Sequence, residues 1–304
     1  MRFRFLGFLH VYLFTILFII LIPFFTYIYF VSDIKTKGHL LNKKDTGVVL
    51  LDRHGNPFFT FYEAKFKDSV TLENISLHLQ NAVIAIEDKD FYKHPGFSIK
   101  GIIRSIINNL KEGEIVSGGS TITQQLVKNT LLNPKKSIFR KYQEIILSYE
   151  IERRYSKKEI LEMYLNTVYF GSGAFGTEDA ANIYFGKSAK DLTLAQSALL
   201  AGLLPAPSSL SPYNNEQKAR LKQRLVLSLM EKQNYINTEE RLKAETESLI
   251  YKPYDENLNS EAPHFAIMVR NKLIENFSEE EVARSGFKVK TTLDLDLQSY
   301  AEDV

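Results

Sequence analysis

The sequence predicts a mainly α-helical protein with an N-terminal transmembrane helix and a few short strands near both ends. An uncharged apolar stretch opens the chain, helical periodicity dominates from Leu79 onward, and three short segments read as strands. The 304 residues, 44% of them hydrophobic and 24% charged, can form one large or two modest domains with a substantial core.

The predicted transmembrane helix occupies the stretch from Phe5 to Val31, which contains no Asp, Glu, Lys or Arg. As a helix this stretch would rise about 40 Å, which is enough to cross a bilayer with tilt. It is too long for the apolar part of a cleaved signal peptide, and no small-x-small cleavage site follows it. We therefore expect a retained anchor within residues 1–32. Basic residues flank both of its ends, so charge does not fix its orientation.

The strands and helices follow from local patterns. Strands are predicted at Val48–Leu51, Phe58–Tyr62 and Phe287–Leu293, the last followed by a helix from Asp294 to Ala301. An apolar helix is predicted over 191–204, ended by a Pro-Ala-Pro sequence, and a charged amphipathic helix over 216–250. Three helix starts have capping-box spacing, which lets a hydroxyl and a later Glu or Gln bond each other's backbone amides. They are Thr121 with Gln124, Ser156 with Glu159, and Thr193 with Gln196.

Composition excludes several classes of protein. The formal net charge of +2 and the absence of a Lys/Arg block argue against nucleic acid as a partner. The chain has no cysteine, which excludes disulfides and Cys-ligated zinc and is compatible with an oxidising envelope.

The first candidate for chemistry is Glu87, which follows an apolar run on a predicted helix. Partial desolvation there would make its carboxylate more basic. The alternative is a solvated acidic helix end that includes Asp88 and Asp90. His94 lies in a predicted turn with no second His at ligand spacing, so a structural role is favoured over metal binding.

The second candidate is the helix start at Gly118–Thr121, whose free amides and positive dipole end suit a phosphate group. Gln124, Gln125 and Lys128 add hydrogen-bond donors to it. The alternative is an ordinary capped helix with a glycine-rich entry. The segment is not a P-loop, because Gly119 and Ser120 stand where Lys and Ser or Thr are required.

Three further patterns were weighed against simpler interpretations. Arg140 and Glu144 lie one helical turn apart, which fits a surface salt bridge, although the following Ile-Ile-Leu favours a partly buried setting. Gly171–Gly176 matches G-x-G-x-x-G but follows a helical pattern, so it indicates a tight turn rather than a dinucleotide site. The apolar stripe from Ile102 to Leu110 indicates core packing, with partial membrane insertion as the alternative.

Taken together, these segments resemble glycosyltransferase family 51, the peptidoglycan glycosyltransferases, over roughly residues 45–300. The family's motif E-D-x-x-F-x-x-H-x-G is matched from Glu87 to Gly96, G-x-S-T-I-x-Q-Q with a following K-N from Gly118 to Asn129, and R-K-x-x-E from Arg140 to Glu144. Two more regions resemble the family, Ser156–Gly176 and Leu192–Tyr213.

The resemblance implies a lysozyme-like, two-lobed catalytic domain that polymerises lipid II into linear β-1,4 glycan strands. Glu87 would be the general base, and Glu144 would assist departure of undecaprenyl diphosphate or stabilise positive charge at the reacting carbon. The resemblance also implies a set of substrate-binding residues. They are Asp88, Phe91, His94, Arg104, Ser120, Thr121, Gln124, Gln125, Lys128, Asn129, Arg140 and Lys141.

The expected partners are lipid II, the growing glycan strand, the bilayer and other cell-wall synthesis proteins. The expected location is the cytoplasmic membrane, crossed once, with the catalytic domain on its outer, periplasmic side. The family allows a divalent cation, Mg or Mn, but nothing in the sequence demands a metal or another cofactor. Two alternatives remain open, a lysozyme-like peptidoglycan hydrolase and a non-catalytic membrane scaffold.

The C-terminal stretch from Lys288 to Val304 resembles the join that leads into the transpeptidase domain of class A penicillin-binding proteins. No ordered set of S-x-x-K, S-x-N and K-T-G is present in the chain. The chain is then either a truncated bifunctional enzyme, which we favour, or a naturally short one, and we expect no transpeptidase activity in it. The expected division is an anchor over 1–32, a short β linker over 33–66, the glycosyltransferase domain over 67–250, and a linker over 251–304.

Overall fold

The computed structural model describes residues 21, 25–31, 47–62, 69–99, 101, 119–132, 137–253 and 261–302. Residues 25–31 are helical. The strands are β1 (Val48–Leu51), β2 (Pro57–Phe61) and β3 (Phe287–Lys290). The helices are α1 (Leu77–Glu87), α2 (Ile122–Leu131), α3 (Ile138–Arg154), α4 (Lys157–Thr167), α5 (Thr177–Phe185), α6 (Leu194–Leu203), α7 (Pro207–Leu210), α8 (Pro212–Lys232), α9 (Thr238–Thr246), α10 (Pro263–Asn276), α11 (Glu279–Arg284) and α12 (Leu295–Glu302).

The main core is helical and consists of two packed groups. In one group α1 packs against α6 and α8, and in the other α2 packs against α3 and α4. A single hydrophobic cluster runs through both groups and includes the fully buried Leu79, Leu126 and Tyr164. The C-terminal end of α1 and the N-terminal end of α2 both carry residues predicted to be functional, so the two groups together position the site.

A smaller unit joins the two ends of the described chain. β1 pairs antiparallel with β2 and parallel with β3, which gives the sheet order β2-β1-β3. Helices α10 and α11 contribute Ala266 and Val282 to a second apolar cluster that contains Val48 and Leu50. The stretches expected as two separate linkers therefore contribute to one sheet. The predicted domain boundaries themselves stay predictions.

The helical prediction is confirmed in its main features. All three predicted capping boxes form, and the predicted apolar helix is α6. The prediction of one helix over 216–250 was wrong, because α8 ends at Lys232 and α9 begins at Thr238. Asn234 between them has a φ of 60°, a left-handed conformation that asparagine tolerates better than most residues and that ends a helix.

Most of the predicted anchor, and the whole predicted stripe over 102–110, lie outside the described residues. Among the described residues, no helix combines the length and apolar character needed to cross a membrane. The helical residues 25–31 pack onto α3. The Phe30 ring lies 5.7 Å from the Phe139 ring, and the Tyr27 hydroxyl donates a hydrogen bond to the buried Glu150. The lysozyme-like, two-lobed form stays a prediction.

Candidate active site

Glu87 is the last residue of α1 and lies half-buried against α2. The Gln125 Nε2 donates a hydrogen bond of 2.5 Å to Glu87 Oε2, and the Tyr164 hydroxyl donates one of 3.1 Å to Gln125 Oε1. Because Tyr164 occupies the amide oxygen of Gln125, the amide nitrogen is left to face Glu87. The carboxylate is therefore held in place by an ordered, neutral donor.

The surroundings of Glu87 make it a stronger base than an ordinary glutamate. Burial raises the pKa of Glu87, and the hydrogen bond from Gln125 and the charge of Lys128 lower it by less than burial raises it. The neighbouring charge of Asp88 raises the pKa further. The alternative interpretation of this position, a fully solvated acidic helix end, does not fit that burial.

Asp88 links the first motif to α2. The Ile122 backbone N–H donates to Asp88 Oδ2 at 3.0 Å, and His94 Nε2 lies 2.9 and 3.0 Å from the two Asp88 oxygens. The Gly96 N–H donates to His94 Nδ1, so in neutral His94 the proton is on Nε2, which donates to Asp88. The predicted structural role of His94 fits these contacts. Among the described residues no group of three potential metal ligands occurs.

Backbone amides at the start of α2 form hydrogen bonds within the chain. Thr121 and Gln124 form the capping box, and the Thr121 hydroxyl also donates to the Gly96 carbonyl at 2.6 Å. With the Ile122 N–H on Asp88 and the Gln124 N–H on Thr121, two of the amides predicted to face a phosphate already have partners inside the chain. A phosphate near this helix start would depend chiefly on side chains.

Glu144 lies on α3, and its side chain is only 5% exposed. Lys141 Nζ lies 2.7 Å from Glu144 Oε2, and Arg140 Nε lies 3.4 Å from Glu144 Oε1. The same Lys141 Nζ donates to Ser120 Oγ at 2.7 Å. The interpretation as a surface salt bridge was therefore wrong, because the acidic partner is buried and its cation contacts the second motif.

The carboxylates of Glu87 and Glu144 are both linked to one short segment of the chain, around the start of α2. Glu87 is attached to Gln125 and Glu144, through Lys141, to Ser120. These two attachment points are five residues apart, on either side of the N-cap residue Thr121. The structure brings the three motifs together at this helix start.

The other predicted residues fall into different settings. Phe91 is fully buried in the core, Asn129 is half-buried, and Lys128 is exposed on α2. Arg104 lies outside the described residues. Direct contact of the predicted residues with a substrate stays a prediction.

The sequence analysis did not identify Lys157 and Glu152, two charged residues that contact the segments around the site. Lys157 Nζ lies 2.8 Å from Glu152 Oε1 and donates to the carbonyl of His94 at 2.8 Å. Lysine at the first position of a helix opposes the helix dipole, and this was the available signal that Lys157 has a specific partner.

The glycine pattern between α4 and α5 forms a tight turn, as predicted. Gly171, Gly173 and Gly176 all have positive φ, and a Cβ on Gly176 would lie 2.5 Å from the Asn166 carbonyl oxygen. Tyr169 and Phe175 form an isolated antiparallel bridge across the turn. The preceding element is helix α4, so the strand that a dinucleotide site needs is not there.

The fold is mainly helical, and two carboxylates from α1 and α3 are linked to the start of α2, an arrangement that suits chemistry at a sugar. Comparison with known proteins gives the family. The family profile described as Transglycosylase matches residues 54–231. The chain belongs to this family, which is the glycosyltransferase family 51 indicated by the motifs. At the level of the family, this assigns it to the peptidoglycan glycosyltransferases.

Relatives with similar sequences are class A penicillin-binding proteins. The chain is 43% identical over 225 residues to Penicillin-binding protein 1A of Neisseria meningitidis serogroup A, covering 74% of this chain and 28% of the relative. It is 40% identical over 237 residues to Penicillin-binding protein 2D of Bacillus subtilis, covering 77% of this chain and 34% of the relative. The chain thus spans about a third or less of the length of these relatives.

A crystal structure of Penicillin-Binding Protein 1A from Haemophilus influenzae aligns with this chain with 24% sequence identity and a TM-score of 0.42. The alignment covers 84% of this chain and 28% of the crystallised chain.

Proposed function

We propose that this chain polymerises lipid II into linear β-1,4 glycan strands by inverting transfer, with release of undecaprenyl diphosphate. The observation that carries the proposal is the pair of carboxylates attached to one helix start, Glu87 through Gln125 and Glu144 through Lys141 and Ser120. Family membership supplies the class of reaction, and the different contacts of the two carboxylates support a different role for each in the proposal.

Glu87 acts as the general base. It takes the proton from the 4-hydroxyl of the acceptor sugar while the hydroxyl oxygen forms a bond to the anomeric carbon of the lipid-linked donor. The bond between that carbon and the diphosphate breaks, so an α-linked donor becomes a β link in one displacement. Desolvation makes Glu87 a better proton acceptor, and Gln125 keeps its carboxylate oriented.

The leaving diphosphate is held by the cations around Glu144. Arg140 and Lys141 on α3 supply positive charge, and the Ser120 hydroxyl lies beside Lys141. Lys128, exposed on α2, adds a further cation. In this proposal Glu144 orients Arg140 and Lys141 and so assists departure of the diphosphate.

Several predicted substrate ligands have a positioning role instead. Asp88 and His94 attach the first motif to α2, and Thr121 and Gln124 form the cap of that helix with their side chains buried. Apart from Gln124 Nε2, which is buried without a hydrogen-bond partner among the described residues, the polar contacts of these side chains lie within the chain. These contacts support a role in holding Glu87 and Gln125 in register.

The site would work at a membrane surface. We assign the chain to the outer face of the cytoplasmic membrane, anchored by its N-terminal apolar stretch, with residues 67–250 as the catalytic domain and other cell-wall synthesis proteins as partners. Phe25, Ile28 and Tyr29 at the end of the anchor are exposed, which fits contact with lipid. A divalent cation, Mg or Mn, would find its negative ligands in the diphosphate, because both Glu144 oxygens already contact Arg140 and Lys141.

The test is incubation of the detergent-solubilised chain with lipid II. The proposal predicts a glycan polymer that lysozyme digests, with one undecaprenyl diphosphate released per bond formed. Digestion of purified cell wall without reaction of lipid II would favour a hydrolase. Absence of both reactions, together with normal complementation by a Glu87→Gln, Glu144→Gln double variant, would favour a scaffold.

A further inference from the structure

Lys157 is a cation in a position where helix electrostatics disfavour one. It is the first residue of α4, where the positive end of the helix dipole repels it, and its side chain is only 21% exposed. Its ammonium group makes three contacts: with Glu152 Oε1 at 2.8 Å, with the His94 carbonyl at 2.8 Å and with the Phe91 ring at 4.5 Å. The adjacent Lys158 is exposed.

Glu152 extends these contacts to the second motif. Its Oε1 also accepts a hydrogen bond of 2.5 Å from the Thr123 hydroxyl on α2. Gly96 packs closely on this part of α3, since an added Cβ would lie 2.7 Å from the Ser148 carbonyl oxygen and 2.9 Å from Glu152 Cγ. Lys157 on α4 and Glu152 on α3 thus form a pair that contacts both the loop after Glu87 and helix α2.

A continuous set of contacts leads from this pair to Glu87. Lys157 holds the backbone of His94, and the imidazole of His94 contacts Asp88. Asp88 accepts the first N–H of α2, the helix that carries Gln125, whose amide donates to Glu87.

We propose that Lys157 and Glu152 are positioning residues, a largely buried ion pair that holds the loop of residues 88–96 against α2 and thereby keeps Glu87 aligned with Gln125. This inference rests on the proposed function, because it assigns the pair a role in the reaction in which Glu87 is the base. It adds to the site two residues that touch none of the reacting atoms.

The test compares Lys157→Met with Lys158→Met in lipid II polymerisation, using the full chain in detergent. Methionine keeps the apolar stem over Phe91 and removes the charge. Lys157→Met should lower kcat about 10- to 100-fold and leave KM within about threefold, because misalignment near 1 Å has effects of that size. Lys158→Met should match the wild type, and Lys157→Arg should recover part of the lost kcat.

The pH profile separates positioning from stability alone. The groups that face Glu87 are Gln125 and Lys128 on α2, Tyr164 on α4 and the adjacent Asp88. Loosening the bond from Gln125 removes a contact that lowers the pKa of Glu87, so the acid limb of kcat should move to higher pH in Lys157→Met. If the pair only stabilises the fold, Lys157→Met will lower the melting temperature. At temperatures below melting, kcat and the acid limb of its pH profile will then be unchanged, and that result would overturn the proposal.

The Glu152 side of the pair gives an independent check. Because the two residues act as one unit, Lys157→Met combined with Glu152→Gln should reduce kcat no further than the more damaging single change. Reductions that multiply would mean that the residues act separately and would contradict the proposal.

Amide hydrogen exchange gives a measurement that does not need activity. Lys157→Met should speed exchange in residues 88–96 and 119–126 relative to the wild type and Lys158→Met. A wild-type chain that does not polymerise lipid II would refute the proposed function, and exchange alone would then decide whether the pair holds the loop on α2. Unchanged exchange in both segments would refute the pair's role whatever the activity.

Discussion

Glu87 and Glu144 are the same kind of residue, attached to the same helix start, in opposite electrostatic surroundings. Glu87 is half-buried with a neutral amide as its hydrogen-bond donor, and burial raises its pKa. Glu144 is more deeply buried but lies between Arg140 and Lys141. Burial without a cation in hydrogen-bond contact makes a carboxylate basic, whereas burial between cations makes it an anchor for positive charge.

This difference supports the two proposed roles. A base must gain a proton during the reaction, and a carboxylate already destabilised as an anion gains one readily. A residue that organises cations for a diphosphate must keep its charge and its contacts. The two roles lead to opposite expectations for stability when each charge is removed.

The largest expected effect is that of Glu87→Gln on activity. Glutamine keeps the size of the side chain but cannot accept the proton, so polymerisation should fall by at least about 10³-fold. The measurement is the rate of lipid II polymerisation, with Glu73→Gln at an exposed position as the control. Activity close to the wild-type rate would remove Glu87 from the role of base.

The same variant should not lose stability. The folded-state pKa of Glu87 is raised, so the folded chain binds this proton more tightly than the unfolded chain does. At pH values above the folded-state pKa, the ionised carboxylate therefore lowers the free energy of unfolding. The lost stability is regained as the pH falls from the folded-state pKa to the ordinary pKa of glutamate in the unfolded chain. Urea unfolding should show Glu87→Gln at least as stable as the wild type near neutral pH, with a gap that narrows in acid.

Glu144→Gln should reduce both activity and stability. The change leaves Arg140 and Lys141 without their carboxylate, and we expect kcat to fall about 10²-fold because the diphosphate site loses its alignment. The free energy of unfolding should fall by about 2 kcal/mol, less than for a fully buried pair since the Lys141 side chain is 41% exposed. Urea unfolding of Glu144→Gln and Glu87→Gln, measured side by side, tests the comparison. Equal changes in the free energy of unfolding would contradict the difference between the two carboxylates.

Gln125→Met should change the pH profile. Loss of its hydrogen bond removes a contact that lowers the pKa of Glu87, so the acid limb of kcat should move to higher pH. At a pH on that limb we expect about a tenfold loss of kcat from displacement and protonation together. The control is Gln217→Met on the exposed face of α8, and an unchanged limb would show that Gln125 does not tune the base.

The smallest effect is expected for Ser120→Ala, which removes the contact between Lys141 and the second motif. One lost hydrogen bond should lower the free energy of unfolding by about 1 kcal/mol and kcat by about threefold. Thermal unfolding and polymerisation rates measure the two effects, with the exposed Ser248→Ala as the control. A loss as large as that of Glu144→Gln would mean that Ser120 carries more of the diphosphate site than Lys141 does.

Local chemistry explains what the sequence could predict. A capping box needs only residues three positions apart, so those at Thr121, Ser156 and Thr193 were predicted correctly. The break after α8 was missed although it has a local signal, the capping box that Asn237 and Glu240 form at the start of α9.

The contacts that decide the roles of the carboxylates are long-range and were not predictable from spacing. Gln125 reaches Glu87 across 38 positions, and Lys157 reaches the His94 carbonyl across 63. One of the amides expected to be free at the start of α2, that of Ile122, is occupied by Asp88 from another segment of the chain. The pairing of β1 with β3 likewise joins segments that the sequence analysis had divided into separate linkers.

The most direct test of the account is a crystal structure of the chain with a non-reactive lipid-linked disaccharide diphosphate in each of the donor and acceptor positions. The account predicts diphosphate oxygens in contact with Arg140 and Lys141, and the acceptor 4-hydroxyl within about 3 Å of the Glu87 carboxylate. A diphosphate bound beside Glu87, or an acceptor hydroxyl that faces Glu144, would contradict it.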